Sequence, residues 1–495
     1  MQTAKVANWV SPKLSLNKPA RHGPHRTLAP KAKISLTQWK IGHKVCTRHG
    51  ILVRKALSRE SPERALQGNQ SDTTKDAGPR VDKAPSIPEK GLPRTWYPIT
   101  VHGNLSHRPL AVRVLGEDLV VWRDSEGAIS VLKDRCPHRL VPLSEGHVDA
   151  ETGKDVPRFP VVETGDIVWA WLGDPEDPAL QDSALLPGQY YPFLSSLEKK
   201  PKKTFSRVLP VDVSVVLENF FDPAHIPFAH HGKQGTRDDA GPIAFDAKEE
   251  NTSAEHLSLN FADVTRGKTR SGTLNFKPPV GFWFETLSET QKKGGLGLFC
   301  VPVEPGVTRL FIVFLHFPQA ILDNSPAWFL HKANNDFLDT DTLLLQAQTR
   351  RIQQEAADGQ MQVGAKATAP IEYYHYGSPA DRFVSIFWQW FHKHFNATIP
   401  YSKHIPSAPL MSRSEILDRG AQHVDTCLSC SQMRDRLDKA PYFLGAALLC
   451  ASVWLRQRPF VVTIMIVATL LIGQWIRGLR RSFGFTDYVH ANVKK

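Results

Sequence analysis

A single short run, Glu218-Asn-Phe-Phe-Asp222-Pro-Ala-His225-Ile-Pro-Phe-Ala-His230-His231, holds three histidines and two carboxylates. Two neutral imidazoles and one carboxylate on one face of a metal leave open positions, which is what ferrous iron needs to bind and activate dioxygen. Asp222 and His225 stand three apart and would share a face on a helix, whereas the five-residue step to His230 carries that ring round the side. Pro227, between the histidines, is expected to interrupt the helix and let both rings turn to one point. A lone His-x4-His reads more simply as a helix end packed on a core; the neighbouring acids favour the metal. The third ligand is expected elsewhere, in the helical stretch from Asn334 to Gln348. It carries Asp336, Asp339 and Asp341, of which Asp341 is the candidate ligand and the other two read as a solvated helical face.

Glu218, Asp222, His225 and His230 match position by position the Glu-x3-Asp-x2-His-x4-His motif of the Rieske non-haem iron oxygenases, where a distant aspartate follows. The resemblance implies that His225, His230 and Asp341 hold a mononuclear ferrous iron. It implies that Asp222 is the bridging acid through which an electron arrives from the Rieske cluster of a neighbouring subunit, in a homotrimer. The implied catalytic fold is a helix grip, an antiparallel sheet wrapped around a long helix that shelters the iron and an apolar substrate. Phe282, Trp283, Phe284 and Phe299 could line that pocket, though they read better as core.

Upstream, Trp96-Tyr-Pro-Ile99 opens short alternating segments, Leu110 to Leu115, Leu119 to Trp122 and Ile129 to Leu132, with a turn at Asp124-Ser-Glu-Gly127. They predict a small antiparallel β domain. It runs into Asp134-Arg-Cys136-Pro-His138-Arg139, then Leu143-Ser-Glu-Gly146, which is similar to the first half of the Rieske motif. By that resemblance Cys136 and His138 are two of the four ligands of a two-iron, two-sulfur (2Fe-2S) cluster. The second Cys-x2-His loop is expected roughly fifteen to twenty residues further on. It is not in the sequence, and after Cys136 the next cysteine is Cys300. The junction at Lys154 to Val156 reads as the place where a stretch carrying that loop is lost, as a skipped exon would do. His147 could supply one nitrogen but no nearby thiolate exists, so electron delivery to the iron is in doubt.

Near the end, Cys427-Leu-Ser-Cys430 reads as a redox-active thiol pair, since a zinc site needs two more ligands and only His423 is close in sequence. Two apolar runs follow, Pro441 to Leu455 and Phe460 to Ile476. Each is short against the roughly twenty residues of a straight crossing, but extended at their ends they form a membrane hairpin. Lys439, Arg477, Arg480 and Arg481 put both flanks on one side. These features narrow the resemblance to the plastid, membrane-anchored branch related to pheophorbide a oxygenase, chlorophyllide a oxygenase and the translocon-associated Rieske protein. That branch implies monooxygenation of a chlorophyll-type tetrapyrrole with dioxygen and ferredoxin-derived electrons, on the stromal side of a thylakoid or inner-envelope membrane. A second reading is a catalytically impaired, redox-sensing membrane component linked to plastid protein import.

The chain that must position these residues has 495 of them, 41% apolar, enough for two folded domains with extensions. The first 59 residues lack Asp and Glu and are rich in Lys, Arg, Ser, Thr and Ala, as in an organelle transit peptide. Much of the net charge of +12 sits there. No aromatic and basic interleaving indicates nucleic acid as a partner. The expected order is transit peptide 1–59, linker 60–92, an incomplete Rieske-type domain 93–200, a catalytic domain 201–420, a Cys-x-x-Cys segment 421–438, an anchor 439–481 and a tail 482–495. The expected fold class is α+β.

Overall fold

A computed structural model describes residues 95–488, apart from 107, 125, 138, 147–157, 196–202, 247–251, 266–267, 289–292, 317, 358–373, 397–398 and 402–410. The expected leader and linker, His138, His147 and the junction at Lys154 to Val156 lie outside the described residues.

The first part is two antiparallel three-stranded sheets, ordered β1-β6-β5 and β2-β3-β4. They comprise β1 (Trp96–Val101), β2 (Leu110–Val114), β3 (Glu117–Arg123), β4 (Ile129–Lys133), β5 (Val161–Thr164) and β6 (Ile167–Trp171). At the predicted turn Asp124 accepts from the backbone N–H of Glu126 and Ala128, and Gly127 takes φ 88°. Strand β6 is buried at every position, which explains its unbroken apolar run Ile-Val-Trp-Ala-Trp.

The second part is one antiparallel sheet ordered β7-β13-β12-β11-β10-β9-β8. Its strands are β7 (Phe205–Leu209), β8 (Ile243–Asp246), β9 (Leu257–Thr265), β10 (Lys268–Lys277), β11 (Gly281–Ser288), β12 (Lys293–Glu304) and β13 (Val307–Phe314). Phe282, Leu298, Ile312 and Phe205 pair in a row across four strands. Side chains alternate faces along a strand, so the neighbours Phe299, Phe311 and Val313 point the other way. The first set packs against helices and the second joins the core of the β1–β6 part, so this sheet is covered on both faces. Phe282, Trp283 and Phe299 are buried in these cores, as the core reading of the aromatics expected.

Three helices lie with the helical face: α1 (Val213–Phe220), α2 (Ala327–Ala357, which contains the expected helical stretch from Asn334 to Gln348) and α3 (Asp381–Phe395). The α3 helix buries Phe383, Val384, Phe387, Trp388 and Phe391, a three-and-four spacing that lines one side. Helix α1 buries Val213, Val215, Val216 and Leu217 in the same core, so the sheet packs on both α1 and α3 through apolar contacts. The buried residues of α2 are mostly polar and include His331, Asn335, Asp339, Thr340, Asp341 and Thr342. Burial of polar groups is costly unless they are paired, so such a helix face marks bonded networks or ligands.

After a segment at 413–424 come α4 (Leu428–Trp454) and α5 (Pro459–Arg481), joined by a short turn and held at the base by an Arg480–Asp438 pair of 2.6 Å. Among the described helices only α5, of 23 residues, is long and apolar enough to cross a membrane, and 6% of its most apolar window is buried. The apolar part of α4 begins at Pro441, so of the two expected spans only the second meets that measure by itself.

Candidate metal centre

Helix α1 stops at Phe220, and Asp222 leaves the helical region at φ −105°, ψ 88° to cap the next turn, accepting from the Ala224 N–H at 2.9 Å. Proline disfavours helix in the residue before it, so Pro223 makes the break. Pro227 sits in the first turn of Ile226–Ala229, where proline is tolerated. The expectation that Pro227 breaks the helix is thus corrected. Pro223 divides the motif, and His225 and His230 end two successive short turns.

Both rings are oriented by their Nδ1 atoms. His225 Nδ1 donates to the backbone carbonyl of Asp222. Thr340 Oγ1 gives its own proton to the Phe337 carbonyl at 2.6 Å, so it accepts from His230 Nδ1, also at 2.6 Å. The His230 ring also stacks on Phe337 with centroids 3.7 Å apart. Each neutral ring therefore presents a bare Nε2, and the two Nε2 atoms face one another at 3.3 Å. Two nitrogens about 2.1 Å from a shared ion stand roughly 3.0–3.4 Å apart at angles between about 90° and 108°.

Asp341, carried in on α2, completes the group. Its Oδ2 lies 3.4 Å from His230 Nε2 and accepts from Asn219 Nδ2 at 3.3 Å, while Oδ1 is buried with no hydrogen-bond partner. One ligand atom from each of His225, His230 and Asp341 falls within 4.8 Å of the others. Burial pushes the Asp341 carboxyl up to about 6, the cost of an ionised carboxylate away from water. Two facing lone pairs, an orphaned oxygen and a carboxylate that lacks a counter-charge fit a divalent cation. An N2O donor set of this kind suits ferrous iron.

Glu218 is not among the three. It accepts from Trp388 Nε1 at 2.7 Å, Gln348 Nε2 at 2.8 Å and Tyr374 OH at 3.1 Å, tying α1 to α2 and α3. Burial raises the carboxyls of both Glu218 and Asp222. His231 turns away and accepts from the Arg237 N–H. A cavity of about 430 Å³ borders the same turns, lined by Pro223, Ile226, Phe228, Ile243 and the Asp263–Arg270 pair; none of the three candidate ligands lines it.

Asp336 and Asp339 do not form the solvated face expected of them. Asp339 is buried between two arginines, Arg207 at 2.7 Å and Arg419 at 2.6 Å, and Arg419 also reaches Asp336 at 2.8 Å. Arg207 further donates to Gln422 at 2.8 and 3.0 Å. Asn219, Thr340, Gln348 and Trp388 are parts of the centre that the motif does not announce. Trp388 in particular comes from a helix whose apolar spacing reads as core.

In the β1–β6 part, Cys136 is buried in a loop closed by two backbone hydrogen bonds of 2.8 Å, between Cys136 and Val141 and between Leu140 and Cys136. Its expected partner His138 lies outside the described residues. Cys300 cannot substitute as a cluster ligand, since it is fully buried in β12, with its thiol pushed well up by burial.

The sequence models of two families match this chain, the Rieske [2Fe-2S] domain over residues 95–155 and pheophorbide a oxygenase over residues 276–358. Flavonoid 8-hydroxylase 2, chloroplastic, of Ocimum basilicum is 26% identical, covering 82% of this chain and 88% of the relative. Pheophorbide a oxygenase, chloroplastic, of Oryza sativa subsp. japonica is 25% identical over 80% and 84%. Protochlorophyllide-dependent translocon component 52, chloroplastic, of Arabidopsis thaliana is 24% identical over 80% and 85%. With antiparallel sheets, a largely buried two-histidine, one-carboxylate group and these likenesses together, the chain is similar to the Rieske non-haem iron oxygenases, and among them to the plastid relatives of pheophorbide a oxygenase.

Proposed function

We propose that this chain is a Rieske-type monooxygenase of a chloroplast membrane that acts on a chlorophyll-type tetrapyrrole, of the pheophorbide or chlorophyllide class, with dioxygen and electrons from ferredoxin. The observation that carries the reading is the convergence of the Nε2 atoms of His225 and His230 with the unpartnered Oδ1 of Asp341. Bound there, ferrous iron supplies dioxygen activation. Thr340 and the Asp222 carbonyl keep the distal ring protons in place, and Glu218 fixes α1 against α2 and α3. Asp222, half-buried beside His225, is the acid through which an electron would enter from a neighbouring subunit of a homotrimer. The tetrapyrrole reading is supported by the pheophorbide a oxygenase match over β11–β13 and α2. The exposed apolar face of α5 supports a bilayer, in which such a macrocycle dissolves. The acid-free leader at 1–59 supports plastid import.

Cys136 and His138 supply two of the four cluster ligands, and the sequence holds no further cysteine before Cys300. The chain as it stands would then load mononuclear iron without a complete cluster. The test is to give the iron-loaded full chain pheophorbide a, either with reduced ferredoxin and dioxygen or with hydrogen peroxide. Peroxide delivers the oxygen atom together with both reducing equivalents and bypasses the cluster. We expect label from oxygen-18 peroxide in the tetrapyrrole, and iron without acid-labile sulfide. A Rieske electron paramagnetic resonance signal would overturn the ligand reading. A flavone hydroxylated in place of the tetrapyrrole would transfer the substrate to the class named in the basil relative. Iron binding without turnover in either arm would favour the redox-sensing import component, which the name of the Arabidopsis relative supports.

A further inference from the structure

Four ligand-type side chains meet away from the iron-type centre. His331 comes from α2, His423 from the π-helical turn Gly420–Val424, Cys427 from the N-cap of α4 and Cys430 from its first turn. All four are 5% exposed or less, and one ligating atom from each lies within 4.8 Å of the rest. His423 Nε2 is 3.3 Å from Cys430 Sγ, and His331 Nδ1 is 3.4 Å from Cys427 Sγ and 3.7 Å from Cys430 Sγ. A tetrahedral zinc ion, with sulfur at about 2.3 Å and nitrogen at about 2.05 Å, has nitrogen–sulfur edges of about 3.6 Å. The observed separations are edges of that size.

The orientation of the His423 ring agrees. His423 Nδ1 donates to the Ser206 carbonyl at 2.6 Å, which leaves the Nε2 lone pair facing the sulfurs. A backbone carbonyl on the distal nitrogen is the usual partner of a metal-ligating imidazole. We propose that His331, His423, Cys427 and Cys430 form a closed tetrahedral zinc site that fastens α2 to the foot of the α4–α5 pair. The site is structural, because all four positions are filled by protein and none is left for water or substrate. A two-iron cluster does not fit, since it holds its cysteine pair and its histidine pair on separate irons. That would set every sulfur far from every nitrogen. Both cysteines are free thiols in this structure, and a disulfide between them would remove two of the four ligands.

The proposal is independent of the oxygenase reading. The full chain, expressed with zinc and purified without chelator, is expected to carry about one zinc per chain, with two sulfur and two nitrogen neighbours by X-ray absorption. Cobalt exchange is expected to give the intense visible bands of a tetrahedral ion and thiolate charge transfer. Cys430→Ser should lose zinc and keep iron, whereas His225→Ala should lose iron and keep zinc. Should Cys430→Ser fail to fold, His423→Cys keeps four ligands, and its cobalt form should show stronger thiolate charge transfer than the parent. Zinc undiminished in folded Cys430→Ser overturns the proposal. So does a zinc-free chain whose Cys427 and Cys430 resist alkylation until reduced, the mark of a disulfide.

Discussion

A histidine binds a metal through whichever nitrogen lacks a proton, and at the iron-type centre that choice is made by residues that touch no metal. Thr340 is the clearest case, because its proton is committed to the Phe337 carbonyl and its oxygen can only accept from His230 Nδ1. Thr340→Val keeps the shape but removes the acceptor, and we expect iron affinity to fall by about 10–100-fold, while Thr340→Ser retains it. Titration of the metal-free protein with ferrous iron measures this, and equal affinity in the valine variant would show that ring stacking on Phe337 suffices. The same contrast sets what the sequence could disclose. His225, His230 and Asp341 are visible because their chemistry lies in residue type and in a motif. Thr340 and Asn219 are ordinary residues until the chain folds. His331 was invisible for the same reason, being a lone histidine in a helix far from the cysteines it approaches.

At the scale of elements, α2 is unusual in burying polar groups, and Asp339 shows what that entails. It stands between Arg207 and Arg419, all three almost fully removed from water. Burial pulls the Arg207 guanidinium below its ordinary value even with Asp339 beside it. Asp339→Asn leaves the buried Arg207 guanidinium without its carboxylate and Arg419 with Asp336 alone. We expect a loss of about 3–5 kcal/mol, read from urea unfolding. A loss below 1 kcal/mol would mean that Gln422 and Asp336 already balance the pair. Sequence reasoning read Asp336 and Asp339 as solvated because an acidic helix face usually is. The partners that bury Asp339 come from β7 and from the segment before α4, and no local pattern encodes that meeting. By contrast β2–β4 and the helical stretch around Asp341 were legible, since periodicity and turn residues are local.

Across the whole molecule, the two β parts share one core instead of meeting at a polar seam. Tyr191 and Phe193, from the segment that links them, pack with Trp169 and Phe299, the last pair edge to face at 4.8 Å. Space for those rings is left by glycine. A Cβ on Gly281 would lie 2.2 Å from the Tyr191 ring and one on Gly297 2.3 Å from Phe193. Gly281→Ala is expected to destabilise the protein by about 1–3 kcal/mol, with unfolding remaining a single transition by calorimetry. Two resolved transitions would mean that the parts fold separately. Alternation between Lys248 and His316, as at His256 to Phe261 and Thr308 to His316, marks strands of this sheet, but with both faces covered only the fold shows which residue faces which core.

His331 and Asp341 lie ten residues apart on α2, so about 15 Å of helix separates the two groups of metal-type ligands. A helix fixes angle as well as distance. Each residue added or removed between them would shift one group along the axis by about 1.5 Å and rotate it by about 100°. No single insertion can be absorbed at either end without unseating a ligand, and even a two-turn insertion that restored the phase would change the span by about 10 Å. Apart from Asp336, Phe337, Asp339 and Thr340, the interval can therefore vary in sequence but not in length, and it works as a gauge block whose size and clocking both ends must accept.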